Sequence, residues 1–239
     1  MPGDGARTAV IIVNYKQEGY LPALFDSLAS QSAGDFFTVL INSCHSNFTP
    51  PEGTHVVEMA SNDGYAAALN RGIDWAMQRG VENVLLLNAD IKLDSECLRN
   101  LLATDGDIVQ PLILMMASPE RINVAGLRPT SLGIAYCMGY KRPRSWAGEV
   151  AHDIPAASGA ALLVRRRVFE RIGLFDTAYF MYLEDVDFSL RARNAGFKVA
   201  LNPKAVAWHA YHLRLGLRKI LWLFRGSRRI RKLLRSKVS

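Results

Sequence analysis

The stretch that most limits what this chain can fold into runs from Val84 to Asp94, Val-Leu-Leu-Leu-Asn-Ala-Asp-Ile-Lys-Leu-Asp. Four consecutive apolar residues that stop at Asn88-Ala89-Asp90 read as a strand covered on both faces, the pattern of a sheet with helices packed on each side. Such a strand delivers Asp90 at its carboxyl end, and in open α/β sheets ligands gather just beyond those ends. A carboxylate there is placed to hold a hard cation against a phosphate. An Asp that only turns the chain or caps the next helix would look the same from this stretch alone.

The flanking sequence supplies the rest of such a sheet. Thr8 to Val13 is a β-branched run ending at Asn14-Tyr15, and Leu21, Leu24, Phe25 and Leu28 then recur at helical spacing. Phe36 to Ile41 is a second strand ending at Asn42-Ser43, and His55 to Met59 a third that ends near Ser61-Asn62-Asp63-Gly64. A helix from Ala66 to Gln78 leads into the Val84 strand. This alternation predicts an α/β, three-layer fold with a mostly parallel sheet. Beyond Asp94 the pattern predicts a helix over Ser95 to Ala103 and a short strand, Asp107 to Gln110, broken by Pro111. Leu112 to Ile154 lacks a period and is rich in Gly, Pro, Arg and aromatic residues, as a substrate-shaping insertion would be. Ser158 to Val164 reopens the core, and Glu184-Asp185-Val186-Asp187 starts a helix that Gly196 ends. A last apolar strand, Ala205 to Trp208, leads to His209.

With 239 residues, nearly half of them apolar, the chain can bury the core of one sizeable domain, expected over residues 1–212. The charge is uneven: of 29 Lys and Arg and 22 Asp and Glu, 14 of the former and none of the latter follow Asp187. An acidic body argues against nucleic acid as a partner. Residues 213–239 form the basic part, with ten Lys and Arg from Arg214 to Lys237 and with Leu213, Leu217, Ile220 and Phe224 on one helical face. That combination predicts a basic amphipathic helix lying on an anionic membrane surface, or one that packs Leu217, Ile220 and Phe224 on its own domain. No stretch has the roughly 18 apolar residues of a membrane span. Met1 to Ile12 holds no signal-peptide core, and Cys44, Cys97 and Cys137 have neither metal-ligand nor disulfide spacing. The expected location is therefore cytoplasmic, peripheral at the inner face of a membrane.

In order along residues 8 to 212 stand Ile12-Val13-Asn14-Tyr15, Asn62-Asp63-Gly64-Tyr65-Ala66 with Asn70-Arg71-Gly72-Ile73, Leu87-Asn88-Ala89-Asp90, Ser158-Gly159-Ala160, Gly173-Leu174-Phe175-Asp176, and Phe180-Met181-Tyr182-Leu183-Glu184-Asp185-Val186-Asp187-Phe188-Ser189-Leu190-Arg191-Ala192-Arg193. On this ordered set the chain resembles the family 2 glycosyltransferases of the GT-A fold, the rhamnosyltransferase-like members most. The resemblance implies inverting, metal-dependent, non-processive transfer of a sugar, hexosyl or rhamnosyl, from a UDP- or dTDP-linked donor. The acceptor would be a hydroxyl of a glycan or lipid-linked precursor in polysaccharide biosynthesis. It makes Asp90 the last acid of a DXD-like motif and His209 its partner on Mg²⁺ or Mn²⁺, with His212, three residues on, as the alternative ligand. Asn88 takes the motif's first acidic position, where a direct metal bond is not expected. Asp185 corresponds to the catalytic base, beside Glu184. Asn14, Tyr15, Asn42, Asn62, Gly64 and Asn70, with Asn88, Ala89, Ser158 and Gly159, would frame the nucleotide and sugar. Asn42 and Asn47 depart from the aspartates usual after the second strand, which leaves the donor open, since an amide offers a different donor and acceptor pattern from a carboxylate.

Each site residue has a structural alternative. Glu184 and Asp185 would serve equally as acids at a helix start, His209 as a core histidine, and Asp187 with Arg191 as an ion pair one helical turn apart. A nucleotidyltransferase would bring a Gly-rich basic loop after the first strand, where this chain has a single glycine, Gly19. A catalytically silent binding protein of the same fold remains compatible with the asparagines. A processive synthase would, by the same resemblance, bring membrane spans and a Gln-x-x-Arg-Trp motif, and the sequence has neither.

Overall fold

The computed structural model describes residues 7–149, 152–210 and 217–235. Its first half is β1 (Thr8–Asn14), α1 (Leu21–Ala29), β2 (Phe36–Asn42), β3 (His55–Glu58), α2 (Tyr65–Met77) and β4 (Asn83–Asn88). The four strands lie in the order β3-β2-β1-β4, all parallel. Alternate residues of β1 face opposite cores: Ala9, Ile11 and Val13 pack with Leu69 and Ile73 of α2, while Val10 and Ile12 pack with Leu21, Leu24 and Leu28 of α1. Burial on both faces is why these strands are unbroken apolar runs. Their carboxyl ends, Asn14, Asn42, Glu58 and Asn88, share one edge of the sheet.

The second half is β5 (Ile91–Leu93), α3 (Cys97–Leu102), β6 (Ile108–Met115), β7 (Ser118–Val124), β8 (Leu127–Pro129), β9 (Ala135–Cys137), β10 (Ala161–Arg165), α4 (Arg166–Ile172), α5 (Glu184–Asn194), β11 (Val199–His209) and α6 (Leu217–Arg235). The order continues β4-β10-β6-β11-β5, with β7 beside β6. β10 runs antiparallel to both β4 and β6, and β11 is parallel to β6 but antiparallel to β5. The parallel half thus passes into a mixed half that the strand–helix alternation does not foretell.

Three local expectations are corrected. Pro111 does not break its strand: it lies inside β6 opposite Asn202, where the register of β11 shifts before Val206, so its missing N–H falls where the ladder is already irregular. The aperiodic segment 112–154, read as an insertion, is part of the sheet and core. It holds the second half of β6, all of β7 and the β8–β9 hairpin, and it buries Ile122, Val124, Ala125 and Ile154 in the core. After Asp90 the chain forms β5 before it turns helical.

The C-terminal helix does pack on the domain, but not through Ile220 or Phe224. Ile220 and Phe224 are 53% and 60% exposed, whereas Gly226 and Ile230 are buried and Trp222 stacks on Phe180. Leu213 and His212 lie outside the described residues. Among the described residues no helix is long and apolar enough to cross a membrane.

Close packing of α2 on β1 depends on Gly72, where a Cβ would stand 2.6 Å from Ile11 Cγ2. Ile11 is fully buried and cannot retreat into solvent. Gly72→Val is therefore expected to destabilise the fold by roughly 1–3 kcal/mol, the usual cost of overpacking, read as a lower urea midpoint at unchanged slope.

Candidate active site

Asp90 follows the end of β4, and the pairing of Ile91 with His209 in the antiparallel β5–β11 ladder sets the two side chains together. Asp90 Oδ1 lies 3.2 Å from His209 Nε2, with both side chains less than a tenth exposed. The other ring nitrogen, Nδ1, is 3.0 Å from Asn123 Oδ1. An amide oxygen only accepts, so this contact places a ring proton on Nδ1 and leaves Nε2 as the nitrogen that faces Asp90. Asp90 Oδ1 is buried and receives no hydrogen bond. A carboxylate oxygen and an imidazole nitrogen facing one another are donor types that could hold a divalent cation. Among the described residues no cluster of three His, Cys, Asp or Glu joins them.

The acids stand at the start of α5. Glu184 is buried, and its Oε2 has no hydrogen-bond partner. Asp185 is half-buried; its Oδ2 accepts the Gly159 N–H at 2.9 Å and its Oδ1 the Val186 N–H at 2.8 Å. Burial pushes the Glu184 carboxyl well above the ordinary range, and the neighbouring Asp185 charge adds to this. Burial also raises Asp185, against the lowering effect of the Gly159 and Val186 hydrogen bonds. Neither acid caps the helix in the usual sense, because Leu183 holds the cap position without a side-chain bond. Asp187 and Arg191 form the expected ion pair at 2.7 Å.

Tyr65 joins the two corners. Its hydroxyl lies 2.7 Å from Asn88 Oδ1 and 3.0 Å from the Gly159 carbonyl, and so shares its proton between them. Burial first, then the charges of Glu184, Asp185 and Asp90, raise the phenol well above its usual value, so it remains a neutral donor. The sequence reading placed Tyr65 in a binding segment without giving it a role; its position at the start of α2, just after Gly64, is the signal that could have found it. Gly64 has φ 98°, and a Cβ there would fall 2.4 Å from the Phe180 carbonyl oxygen. That carbonyl accepts the Tyr65 N–H at 2.7 Å, tying α2 to the turn before Glu184.

At the ends of the parallel strands, Asn14 donates to Asn42 Oδ1 at 2.9 Å and Asn42 donates to Glu58 Oε1 at 2.6 Å. The carboxylate missing after β2 is thus supplied from β3, by a residue that the sequence reading passed over. Tyr15 sits at the same edge, 40% exposed. Asn62 accepts the Gly64 N–H and shapes the turn. Ser158 N–H donates to Gln110 Oε1 at 2.7 Å, and Ala89 is fully buried between Asn88 and Asp90. Asn70 is employed elsewhere: its amide and its oxygen both bond the Phe175 backbone, at 2.9 and 3.1 Å, as a clip between α2 and the segment after α4. It does not join the cluster around Tyr65.

Comparison with known proteins places this geometry. The sequence profile described as "Glycosyltransferase like family 2" matches residues 6–222. The low-salt glycan biosynthesis hexosyltransferase Agl10 of Haloferax volcanii is 27% identical over 200 residues, 80% of this chain and 63% of that protein. The dTDP-rhamnosyl transferase RfbF of Shigella flexneri is 22% identical over 211 residues, 84% of this chain and 68% of that one. The chain therefore spans about two thirds of the length of these relatives. Among solved structures, GalNAc-T7 with UDP, GalNAc and Mn²⁺ superposes with a TM-score of 0.68 at 17% identity, covering 87% of this chain and 43% of the other, and shows the fold to be of the GT-A type. On the profile match across nearly its whole length, the chain belongs to glycosyltransferase family 2.

Proposed function

We propose that this protein transfers a sugar from a nucleoside-diphosphate donor, UDP- or dTDP-linked, to an acceptor hydroxyl, with inversion and with a divalent cation. The observation that carries the proposal is the chain of contacts in which Asp185 accepts the Gly159 N–H and Tyr65 bridges the Gly159 carbonyl to Asn88, two residues before Asp90, which faces His209. The names of the hexosyl and dTDP-rhamnosyl relatives, and the Mn²⁺ in the GalNAc-T7 structure, support it. Mg²⁺ or Mn²⁺ held by Asp90 and His209 would stabilise negative charge on the departing diphosphate as a Lewis acid. Asp185 takes the proton of the acceptor hydroxyl as that oxygen attacks the anomeric carbon from the face opposite the diphosphate. The Gly159 and Val186 N–H groups fix the direction of its carboxylate, and partial burial raises its basicity toward the working pH. Glu184 lies beside the base but too deep to meet solvent. The Asn14–Asn42–Glu58 chain of hydrogen bonds faces the nucleoside.

We also propose that residues 213–239 form a basic appendage to the 1–212 catalytic unit that holds it peripherally on an anionic membrane, where a lipid-linked glycan acceptor would be met. Supporting this, Ile220, Leu221 and Phe224 are exposed on α6 together with Arg225, Arg228, Lys232 and Arg235, and no acid follows Asp187 to pair them. Each such cation is worth about 1 kcal/mol near an anionic leaflet.

A panel of nucleotide sugars, scored by thermal shift with Mn²⁺, identifies the donor; Asp90→Ala is expected to lose that Mn²⁺-dependent shift while remaining folded, with a ligand-free melting point no lower than that of the wild type. With the donor and acceptor so found, Asp185→Asn is expected to lower kcat by roughly 10²–10⁴ and to leave donor affinity unchanged, Glu184→Gln doing less. Because the active form of Asp185 is the anion and its pKa is raised, wild-type kcat should fall on the acid side above the ordinary carboxylate range. Donor binding that persists in a wild-type protein with no transfer would instead indicate a silent nucleotide-sugar-binding protein. For the tail, sedimentation with anionic vesicles at low salt should fail once residues 213–239 are deleted; equal binding to neutral vesicles would refute the proposal.

A further inference from the structure

The helix that carries the basic appendage also reaches the catalytic acids. Between α4 and α5, Asp176 to Leu183 forms no regular structure, and it ends in two consecutive left-handed residues that are not glycine, Tyr182 at φ 69° and Leu183 at φ 70°. Such backbone persists only where its surroundings hold it in place. The turn is what aims the site: Phe180 gives its carbonyl to the Tyr65 N–H, and Leu183 launches α5 directly into Glu184 and Asp185.

One side of the turn is held by Gly64 and Tyr65. The other is held by α6. Trp222 stacks on Phe180, with ring centroids 4.7 Å apart and planes at 28°. Gly226 lies so close that a Cβ there would meet Leu183 Cδ1 at 3.1 Å and Tyr179 Cε1 at 3.2 Å. Arg229 bonds Asp176 at 3.3 Å and lies over the Tyr179 ring, whose hydroxyl bonds Asp187 at 3.2 Å. The helix is itself seated from its far side by Gly133, where any Cβ would fall 2.0 Å from the Ser227 carbonyl oxygen. These contacts come from the face of α6 opposite Leu221 and Arg228, so a membrane-facing role does not require them.

We infer that α6 is a positioning element of the active site: Trp222 and Gly226 clamp the Phe180–Leu183 turn and so fix the direction of Asp185. The inference rests on Asp185 as the base. A misplacement of about 1 Å at a reacting group can cost roughly 10²-fold in rate, so loosening the clamp should slow the chemical step without weakening donor binding.

The test uses the full chain with Trp222→Ala, Trp222→Phe and Gly226→Leu. Trp222→Ala and Gly226→Leu are expected to lower kcat by about tenfold or more, with the Mn²⁺-dependent affinity for the nucleoside diphosphate unchanged. Trp222→Phe, which keeps a ring over Phe180, should recover most of the rate. Hydrogen exchange over Tyr179 to Asp187 should quicken in the first two variants and not in the third. Wild-type kcat in both Trp222→Ala and Gly226→Leu, or a fall in kcat with unaltered exchange across the turn, would overturn the clamp. If Asp185→Asn keeps full activity, the assignment of the base fails instead, and exchange across the turn still decides whether α6 holds it.

Discussion

A buried carboxylate oxygen without a hydrogen bond is expensive, costing about 1–3 kcal/mol or more for a charged group, and Asp90 Oδ1 is in that position. Much of the mixed half of the sheet serves to place it there. The β5–β11 ladder sets His209 against it, the β6–β11 pairing aligns β11 with the core, and β7, beside β6, supplies the Asn123 amide that orients the ring. Four strands thus converge on this pair of side chains. An apolar pair at these positions would satisfy the fold at less cost, which is in keeping with the proposed site.

The acid corner repeats the logic with a different charge. Two adjacent carboxyls at a helix start would ordinarily be stabilised as anions by the helix dipole. Here burial outweighs that contribution and both are raised, Glu184 the more. A carboxyl whose folded pKa lies above its unfolded value stabilises the fold fully below the unfolded value, and that stabilisation is lost as pH rises through the folded one. In the working range these acids therefore weigh against the fold, and the surrounding contacts offset them: Gly159 on Asp185, Tyr65 between Gly159 and Asn88, and Trp222 and Gly226 on the turn before Glu184.

What the sequence discloses follows from how each feature is encoded. The parallel strands are legible because burial on both faces writes an unbroken apolar run, and Asn88-Ala89-Asp90 stands out as its abrupt end. Asp90, His209 and Asp185 are single chemical groups at strand or helix ends, and the structure brings the first two to 3.2 Å. The residues that escaped are those whose role is a contact. Glu58 is an ordinary polar residue until β3 pairs with β2 and sets it against Asn42; Asn123 is one more residue of an aperiodic segment until β7 folds beside β6. Asn70 misleads for the same reason, since its place in a motif does not say that both ends of its amide bond the Phe175 backbone. Pro111 shows that a local rule yields to tertiary context when the partner strand is irregular at the same point.

Electrostatics links the two corners. The catalytic edge gathers Asp90, Glu184, Asp185 and Glu58, and the proposed donor brings a diphosphate to it. At an effective dielectric of about 20, two like charges some 4 Å apart repel by about 4 kcal/mol, which would outweigh the gain from most single hydrogen bonds, about 1 kcal/mol each. The basic residues do not relieve this at the site, because the cations after Asp187 concentrate on α6, and Arg191 is already committed to Asp187 and to the carbonyls of Ile172 and Leu174. A cation between an anionic donor and Asp90 would relieve this repulsion, and the oxygen of Asp90 facing His209 Nε2 pairs two donor types suited to hold one. The charge balance of the edge thus supports the proposed metal dependence independently of any family resemblance.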